Sequence, residues 1–193
     1  MSGDFKKVDQ ETVCQFVSQY PLAWIVPNVR PEAALLMPVI FKPGSTTELV
    51  GHLPRRAEAS AVLKDNPSST LLFLGPNAYI PTQWVKKSGW GPTWNFTSVS
   101  MSAELRLERS LTRSAIEALV DHMEGKSGSD WSTAELGDRY EQMLSQIIGF
   151  TARPDRISPR FKLGQDETPE TREDLRQNLK GHPLLDWMEN SPD

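Results

Sequence analysis

One segment in the middle of the chain alternates strictly between polar and apolar residues. From Ser98 to Leu107 the even-numbered positions are polar and the odd-numbered positions are apolar. Because successive side chains of a β-strand point to opposite faces, this pattern predicts a strand with one buried face and one polar face. It is the clearest strand signal in the sequence.

Shorter apolar runs, each bounded by Pro, Gly, Asn or Ser, precede this strand at residues 22–26, 34–41, 49–53 and 70–74. Such boundaries are typical of buried strands. Residues 75–81 read as a tight turn that carries an aromatic residue, and residues 91–96 as a segment leading into the long strand. A last short strand is predicted at residues 150–152.

Helices are predicted over residues 10–20, 57–64 (one or two turns), 111–124, 133–148 and about 168–180. Apolar residues at helical spacing indicate the first, third and fourth, and the Thr168-Pro169 start indicates the last. In the third of these, Ser114 and Glu117 have the spacing of a capping box, and Ser110 or Thr112 could equally cap it. Several strands with few helices predict a mainly β fold, a β-barrel with peripheral helices. We expect one domain over residues 1–193, with a helical insertion at about 110–148 and a helical tail at about 164–193.

Composition limits the classes of function. The formal net charge of −4 over 193 residues disfavours direct binding to nucleic acid, which normally requires a basic surface. The single cysteine, Cys14, cannot form an internal disulfide and indicates a reducing compartment. No apolar run reaches the roughly 18 residues of a membrane span, and the polar start lacks a signal core. The expected location is the cytoplasm.

Metal and nucleotide-loop motifs are absent from the sequence. His52, His122 and His182 lie far apart, with no carboxylate at ligand spacing, so no metal site is predicted. Neither a G-x-G-x-x-G nor a G-x-x-x-x-G-K loop occurs. A catalytic triad assembled across the sequence stays open, although no nucleophile motif supports one.

Four short segments at predicted strand ends combine basic, aromatic and small polar residues. The first, residues 51–56, ends in Arg55 and Arg56, which could clamp a phosphate or could simply be solvated. The others are residues 75–81, residues 91–96 with Trp94 and Asn95, and residues 161–165 with Lys162. A phosphorylated planar ligand needs charged donors and aromatic walls, which these segments supply. Core packing is the alternative role for their aromatic residues.

The same segments, in this order, carry a resemblance to a known family. They are Gly-His-Leu at 51–53, the stretch 73–80 with Trp84, Pro-Thr-Trp-Asn-Phe at 92–96, and Ile-Gly-Phe at 148–150 followed by Phe-Lys-Leu at 161–163. Together they make the chain similar to PaiB-like FMN-binding split-barrel proteins over about residues 5–180. That family usually has Thr-His where this chain has Leu35 and Leu36.

The resemblance implies a six-stranded Greek-key split β-barrel that forms a homodimer with FMN at the subunit interface. It also implies a flavin reductase or another FMN-dependent oxidoreductase, or a negative transcriptional regulator. On this basis His52, Arg55 and Arg56 are expected to bind the phosphate side of FMN. Trp94 and Asn95 are expected to flank the ring or ribityl chain, and Lys162 to add positive charge. No catalytic side chain is predicted.

Two other functions remain open at this stage. One is a non-catalytic regulator or sensor that acts through partners, because no helix-turn-helix with a basic recognition helix is visible. The other is a split-barrel relative that has lost FMN and binds another planar or haem-like ligand. Both would keep the fold and change the use of the four segments.

Overall fold

The computed structural model describes residues 8–190 and contains a closed barrel of six strands. In chain order the strands are β1 (Leu22–Pro27), β2 (Leu35–Phe41), β3 (Leu49–Pro54), β4 (Ser68–Ile80), β5 (Thr93–Glu108) and β6 (Ile147–Lys162). Around the barrel their order is β1-β2-β3-β6-β5-β4. The ring closes because β1 pairs antiparallel with both β2 and β4. The predicted six-stranded split-barrel fold is confirmed.

Six helices accompany these strands: α1 (Gln10–Gln19), α2 (Glu58–Asp65), α3 (Thr112–Ser127), α4 (Asp138–Ser145), α5 (Pro169–Asn178) and α6 (Pro183–Asn190). Helices α3 and α4 stand between β5 and β6, and α5 and α6 follow β6. The hydroxyl of Thr168 caps α5 by accepting a hydrogen bond from the Thr171 amide at 3.3 Å. Helix α6 lies within the helical tail expected at about 164–193, although its own bounds were not predicted.

Three strands are longer than their apolar patterns predicted. The turn predicted at residues 75–81 is wrong, because β4 continues to Ile80, and β5 begins at Thr93. The short strand predicted at residues 150–152 is one part of β6, which is 16 residues long. Pro76, Pro154 and Pro159 lie inside these strands, where proline usually marks an end.

Two helix predictions also need correction. The helix predicted over residues 133–148 is a 3-10 turn at Thr133–Leu136 followed by α4. Gly137 separates them with a φ of 53°, a conformation that favours glycine, and Ile147 already belongs to β6. Ser114 does not cap α3, since it lies within the helix and its hydroxyl donates to the Leu111 carbonyl. The capping box found in this region joins Ser132 and Glu135.

The chain divides into two compact units, and the boundaries between them fall inside β4, β5 and β6. The larger unit contains Gln10–Phe73 and Ser100–Ile157. The smaller unit contains Leu74–Val99 and the described residues from Ser158 onward. The larger unit holds β1, β2, β3 and helices α1 to α4, and the smaller unit holds α5 and α6.

In the larger unit α3 packs against the outer face of β2 and β3. Ile40 and Val50 on the strands form a buried cluster with Ala115 and Leu119 on the helix. Burying Ile40, Val50 and Leu119 contributes roughly 1.5–3 kcal/mol each. The inward face of the barrel in this unit is lined by large, fully buried residues such as Ile25, Leu53, Leu71, Met101 and Phe150.

A glycine brings β6 and the start of α3 into close contact. A Cβ added at Gly149 would lie 2.7 Å from backbone atoms of Leu111 and Thr112. The Gly149 amide donates a buried hydrogen bond of 3.0 Å to the Thr112 hydroxyl. The absence of a side chain at Gly149 therefore allows helix α3 to begin directly against the barrel.

Candidate functional site

The predicted site residues fall into two groups, one in each unit. His52, Arg55 and Arg56 belong to the larger unit, whereas Trp94, Asn95 and Lys162 belong to the smaller unit. Each group is described within its own unit below.

Arg55 and Arg56 lie in the exposed turn that joins β3 to α2. The Arg55 amide donates to the Gln146 carbonyl, and its guanidinium Nη1 donates to the Ser145 carbonyl, both at 2.9 Å. The guanidinium of Arg56 has no hydrogen bond or ion pair within residues 8–190. Arg55 is therefore partly used to hold the end of α4, while all five donors of Arg56 are available to a ligand.

His52 lies on the face of β3 that α3 covers. It pairs with Gly149 across the strands, so the two residues share a face, and that face meets the first turn of α3. Its Nδ1 atom is buried and has no hydrogen-bond partner in the described chain. Burial lowers the pKa of the imidazole below its usual value near 6.5. Burial therefore favours the neutral form of the imidazole.

In the smaller unit Trp94 forms an exposed aromatic pair with Tyr79. Their ring centroids are 5.8 Å apart with planes tilted by 58°, and the two side chains are 54% and 49% exposed. Tyr79 was not among the predicted site residues, although its segment was. The pair offers an apolar, planar surface to solvent.

Asn95, the next residue along β5, is almost completely buried, with 1% exposure. Because side chains alternate along a strand, Asn95 points to the opposite face from Trp94. Its amide oxygen and nitrogen both lack a hydrogen-bond partner among the described residues. The structure thus separates two neighbouring residues that the sequence suggested would contact one ligand together.

Asn95 and Lys162 line the same small cavity, whose volume is about 70 Å³. The Lys162 ammonium donates to the hydroxyl of Thr93 on the cavity wall. The opposite wall includes Gly164, which has a φ of 80°, and Glu167, which accepts a 2.9 Å hydrogen bond from the Trp90 indole. The structure therefore brings together two of the predicted residues, Asn95 and Lys162.

Gln165 shapes the turn that forms this wall. Its Oε1 accepts from the Leu163 amide at 2.7 Å, and its Nε2 donates to the Phe161 carbonyl at 2.6 Å. Sequence reasoning included Gln165 and Thr93 in candidate segments but could not identify Glu167 as a neighbour of Asn95. Only the fold shows that these separate segments surround one buried amide.

The basic stretch at residues 153–162 is largely engaged by neighbouring groups. Arg153 forms an ion pair of 3.6 Å with Glu48 in the larger unit. In the smaller unit the Arg160 guanidinium lies over the Phe96 ring, 5.7 Å from its centroid. The Glu48 ion pair offsets the charge of Arg153, whereas Arg160 keeps its positive charge over the neutral Phe96 ring.

The larger unit also contains a cleft of about 640 Å³, which is large enough for a small ligand. Its charged lining mixes Lys64, Arg106 and Arg153 with acidic residues, including Glu48 and Glu104. No aromatic residue lines it. The cleft therefore lacks the planar wall that a flavin ring requires.

Within residues 8–190 no group of three or more His, Cys, Asp or Glu side chains could hold a metal ion. None of the described helices has the length and apolar character needed to cross a bilayer. Cys14 is a free, half-buried thiol on α1, and burial raises its pKa. These observations offer no alternative to the two groups of predicted site residues.

Solved structures show the same fold at low sequence identity. The FAD and heme binding protein from Mycobacterium smegmatis has a TM-score of 0.63 and 14% identity, covering 90% of this chain and 80% of that one. The conserved hypothetical protein Rv2991 from Mycobacterium tuberculosis has a TM-score of 0.59 and 14% identity, covering 87% and 95%. The flavocytochrome Anf3 from Azotobacter vinelandii has a TM-score of 0.57 and 16% identity, covering 81% and 69%.

Sequence comparison gives the family. No curated protein matches the sequence at a significant level. The profile of a family described as "Putative FMN-binding domain" matches residues 1–156, which is most of the chain. The family expected from the four segments is therefore confirmed, and the family match supports FMN as a possible cofactor. The chain belongs to this FMN-binding domain family.

Proposed function

We propose that this protein is an FMN-dependent oxidoreductase of the flavin reductase type that works as a homodimer. The observation that carries the proposal is the family match over residues 1–156. The described residues fit the chemistry of the cofactor, since free guanidinium donors, an exposed aromatic pair and an unpaired buried amide are all present. FMN would supply the hydride and electron chemistry when bound.

Arg56 is the best candidate in the larger unit for contacting the phosphate. It precedes α2, whose N-cap residue, Ala57, makes no side-chain hydrogen bond to the helix. Amide groups of the first helical turn and a guanidinium with free donors both favour a phosphate dianion. Glu58 in the same turn is held by Arg30 at 2.7 Å, which reduces its repulsion toward an anion.

The residues of this chain would bind and orient the cofactor. The predicted residues with an ionisable side chain are His52, Arg55, Arg56 and Lys162. His52 is covered by α3, and burial favours the neutral form of its imidazole by lowering its pKa. Positioning and electrostatic stabilisation are therefore the expected contributions of the protein.

An exposed apolar row on the barrel supports the homodimer. Trp24 on β1 pairs with Leu36 on β2 and with Leu72 on β4, and all three side chains are more than 40% exposed. Leu22 extends the row on β1. Contiguous exposed apolar patches of this kind mark protein interfaces. Leu36, which replaces a histidine usual in the family, therefore contributes to this face.

The dimer is tested by sedimentation of the wild type and of Trp24→Asp. A charge in the centre of the apolar row should dissociate the dimer, because an unpaired carboxylate would be buried at the interface. Trp131→Asp is the matched control, since Trp131 is an exposed tryptophan outside the row. A wild-type monomer, or a Trp24→Asp protein that remains dimeric, would contradict this part of the proposal.

FMN binding is tested by thermal unfolding with added FMN. A ligand at 100 times its Kd stabilises the folded state by about 2.7 kcal/mol. For a chain of this size that corresponds to an increase in Tm of roughly 5–10 °C. A colourless protein whose Tm does not change with FMN would refute the proposed cofactor.

Phosphate recognition is tested by comparing FMN with riboflavin, which lacks the phosphate. The wild type should bind FMN at least tenfold more tightly, and Arg56→Ala should lose most of that preference. Arg139→Ala is the matched control, because Arg139 is an exposed arginine on α4. An Arg56→Ala protein that keeps the full preference would exclude Arg56 from the phosphate site.

Catalysis requires a separate assay with NADH or NADPH and free FMN as acceptor. Turnover that depends on the protein supports the reductase. If the protein binds FMN but shows no turnover with NADH or NADPH, the proposed reductase activity is refuted and only flavin binding is supported.

A further inference from the structure

The buried amide of Asn95 is the least explained polar group in the smaller unit. Both its Oδ1 acceptor and its Nδ2 donor are buried without a partner in the described chain. Buried polar groups in native proteins are nearly always hydrogen-bonded, because an unpaired one loses its hydration without compensation. We therefore expect a ligand or ordered water to form hydrogen bonds with this amide.

The cavity next to this amide limits what can occupy it. Its volume of about 70 Å³ is far too small for a ring system. Pockets that enclose a whole small-molecule ligand measure about 300–1,000 Å³, so this cavity has room for ordered water or for one edge of a larger molecule. An occupant larger than water must therefore insert only one edge.

We propose that Asn95 pairs with the imide edge of the flavin ring, where the N3–H donor stands beside the C4 carbonyl acceptor. Asn95 presents the complementary acceptor and donor side by side, as asparagine does when it reads the edge of adenine. This inference rests on the proposed binding of FMN.

The wall of the cavity supports recognition of a ring edge. Trp90 contributes an aromatic side chain to the lining, and Lys162 contributes a cation that is held by the Thr93 hydroxyl. On the opposite face of β5, the rings of Trp94 and Tyr79 form a planar surface with few hydrogen-bond donors. The Asn95 face can therefore distinguish a flavin from other planar molecules, whereas the Trp94 face offers stacking alone.

Access to Asn95 depends on the turn that follows β6. The amide is covered by the turn that follows β6, which contains Gly164 in the left-handed region and Glu167. A single hydrogen bond between Glu167 and the half-buried Trp90 joins this turn to the segment before β5. Entry of a ring edge requires this turn to open.

The test compares the affinities of FMN and N3-methyl-FMN, measured by fluorescence titration. Methylation removes the N3–H donor and adds bulk, so the wild type should bind the methylated flavin at least tenfold more weakly. In Asn95→Ala the two flavins should bind with similar affinity, since the partner of the N3–H is gone. Asn77→Ala is the matched control, because Asn77 is an exposed asparagine of the same unit and should keep the wild-type preference.

The outcomes separate this inference from the proposed function. Absence of FMN binding by the wild type would refute the proposed function itself. Equal binding of the two flavins by the wild type would overturn only the role of Asn95, and this comparison needs no variant that might misfold. A tenfold loss of FMN affinity in Trp94→Ala, with Asn95→Ala unchanged, would also overturn it and assign the ring to the opposite face.

Discussion

Replacing Gly149 with alanine tests how closely helix α3 is fixed to the barrel. The new Cβ would stand 2.7 Å from three backbone atoms of Leu111 and Thr112, where contacts between carbon atoms are ordinarily about 3.5–4.0 Å. Backbone atoms cannot rotate away as a flexible side chain can. Either β6 or the first turn of α3 must therefore move by nearly 1 Å.

The expected cost has two parts. Overpacking of this kind costs about 1–3 kcal/mol. The movement also strains the buried hydrogen bond from the Gly149 amide to the Thr112 hydroxyl, which contributes about 0.5–1.5 kcal/mol. Together they predict a destabilisation of about 2–4 kcal/mol, or a decrease in Tm of roughly 5–15 °C for a chain of this length.

Thermal and urea unfolding of Gly149→Ala measure this effect. Gly125→Ala is the matched control, because Gly125 lies within α3 with open space around its Cβ position. That replacement should stabilise the protein by about 0.5–1 kcal/mol through helix propensity. If Gly149→Ala were as stable as Gly125→Ala, the close approach of α3 to β6 would be refuted.

Three further predictions use other contacts. Burial lowers the pKa of His52, so the unfolded chain binds the proton more readily than the folded protein. The free energy of unfolding should therefore fall as the pH drops below about 6.5, by at most about 1.4 kcal/mol per pH unit. The difference in stability between pH 5.5 and pH 7.5 should be smaller in His52→Gln than in the wild type, and an unchanged difference would exclude His52 as its source. A Cβ at Gly51 would lie 2.6 Å from the Phe150 ring. Gly51→Ala should therefore lower the free energy of unfolding by about 1 kcal/mol less in a Phe150→Leu background than in the wild type. Additive effects in this double-mutant cycle would contradict the contact. Trp90→Phe removes the indole donor to Glu167 and should accelerate FMN association in stopped-flow measurements, whereas an unchanged rate would show that this hydrogen bond does not control entry.

The sequence predicted the elements whose patterns are local. The alternation around Met101 identified β5, and apolar spacing located α1, α2 and α3 to within a few residues. Sequence patterns gave wrong element boundaries where the same residues are compatible with two kinds of secondary structure. Pro154 and Pro159 suggested an early end to β6, and Ile147 and Ile148 fit a helix as well as a strand.

The site was predictable only in part, for a related reason. Arg56 and Asn95 stood out by residue type, but their surroundings depend on segments far away in sequence. The neighbours Trp94 and Asn95 appeared to form one surface until alternation along β5 placed them on opposite faces. The hydrogen bond between Trp90 and Glu167, which are separated by 77 positions, could not be foreseen from either segment.

The closed ring of strands has a consequence for how this protein can associate. Each of the six strands in the ring has two neighbours, so within the ring no strand is left to accept a strand from another molecule. Association through the ring must then use side chains on its outer surface, where a single substitution can abolish it. If two copies join through the same patch, the contact is self-complementary and saturates at two subunits instead of growing into a filament.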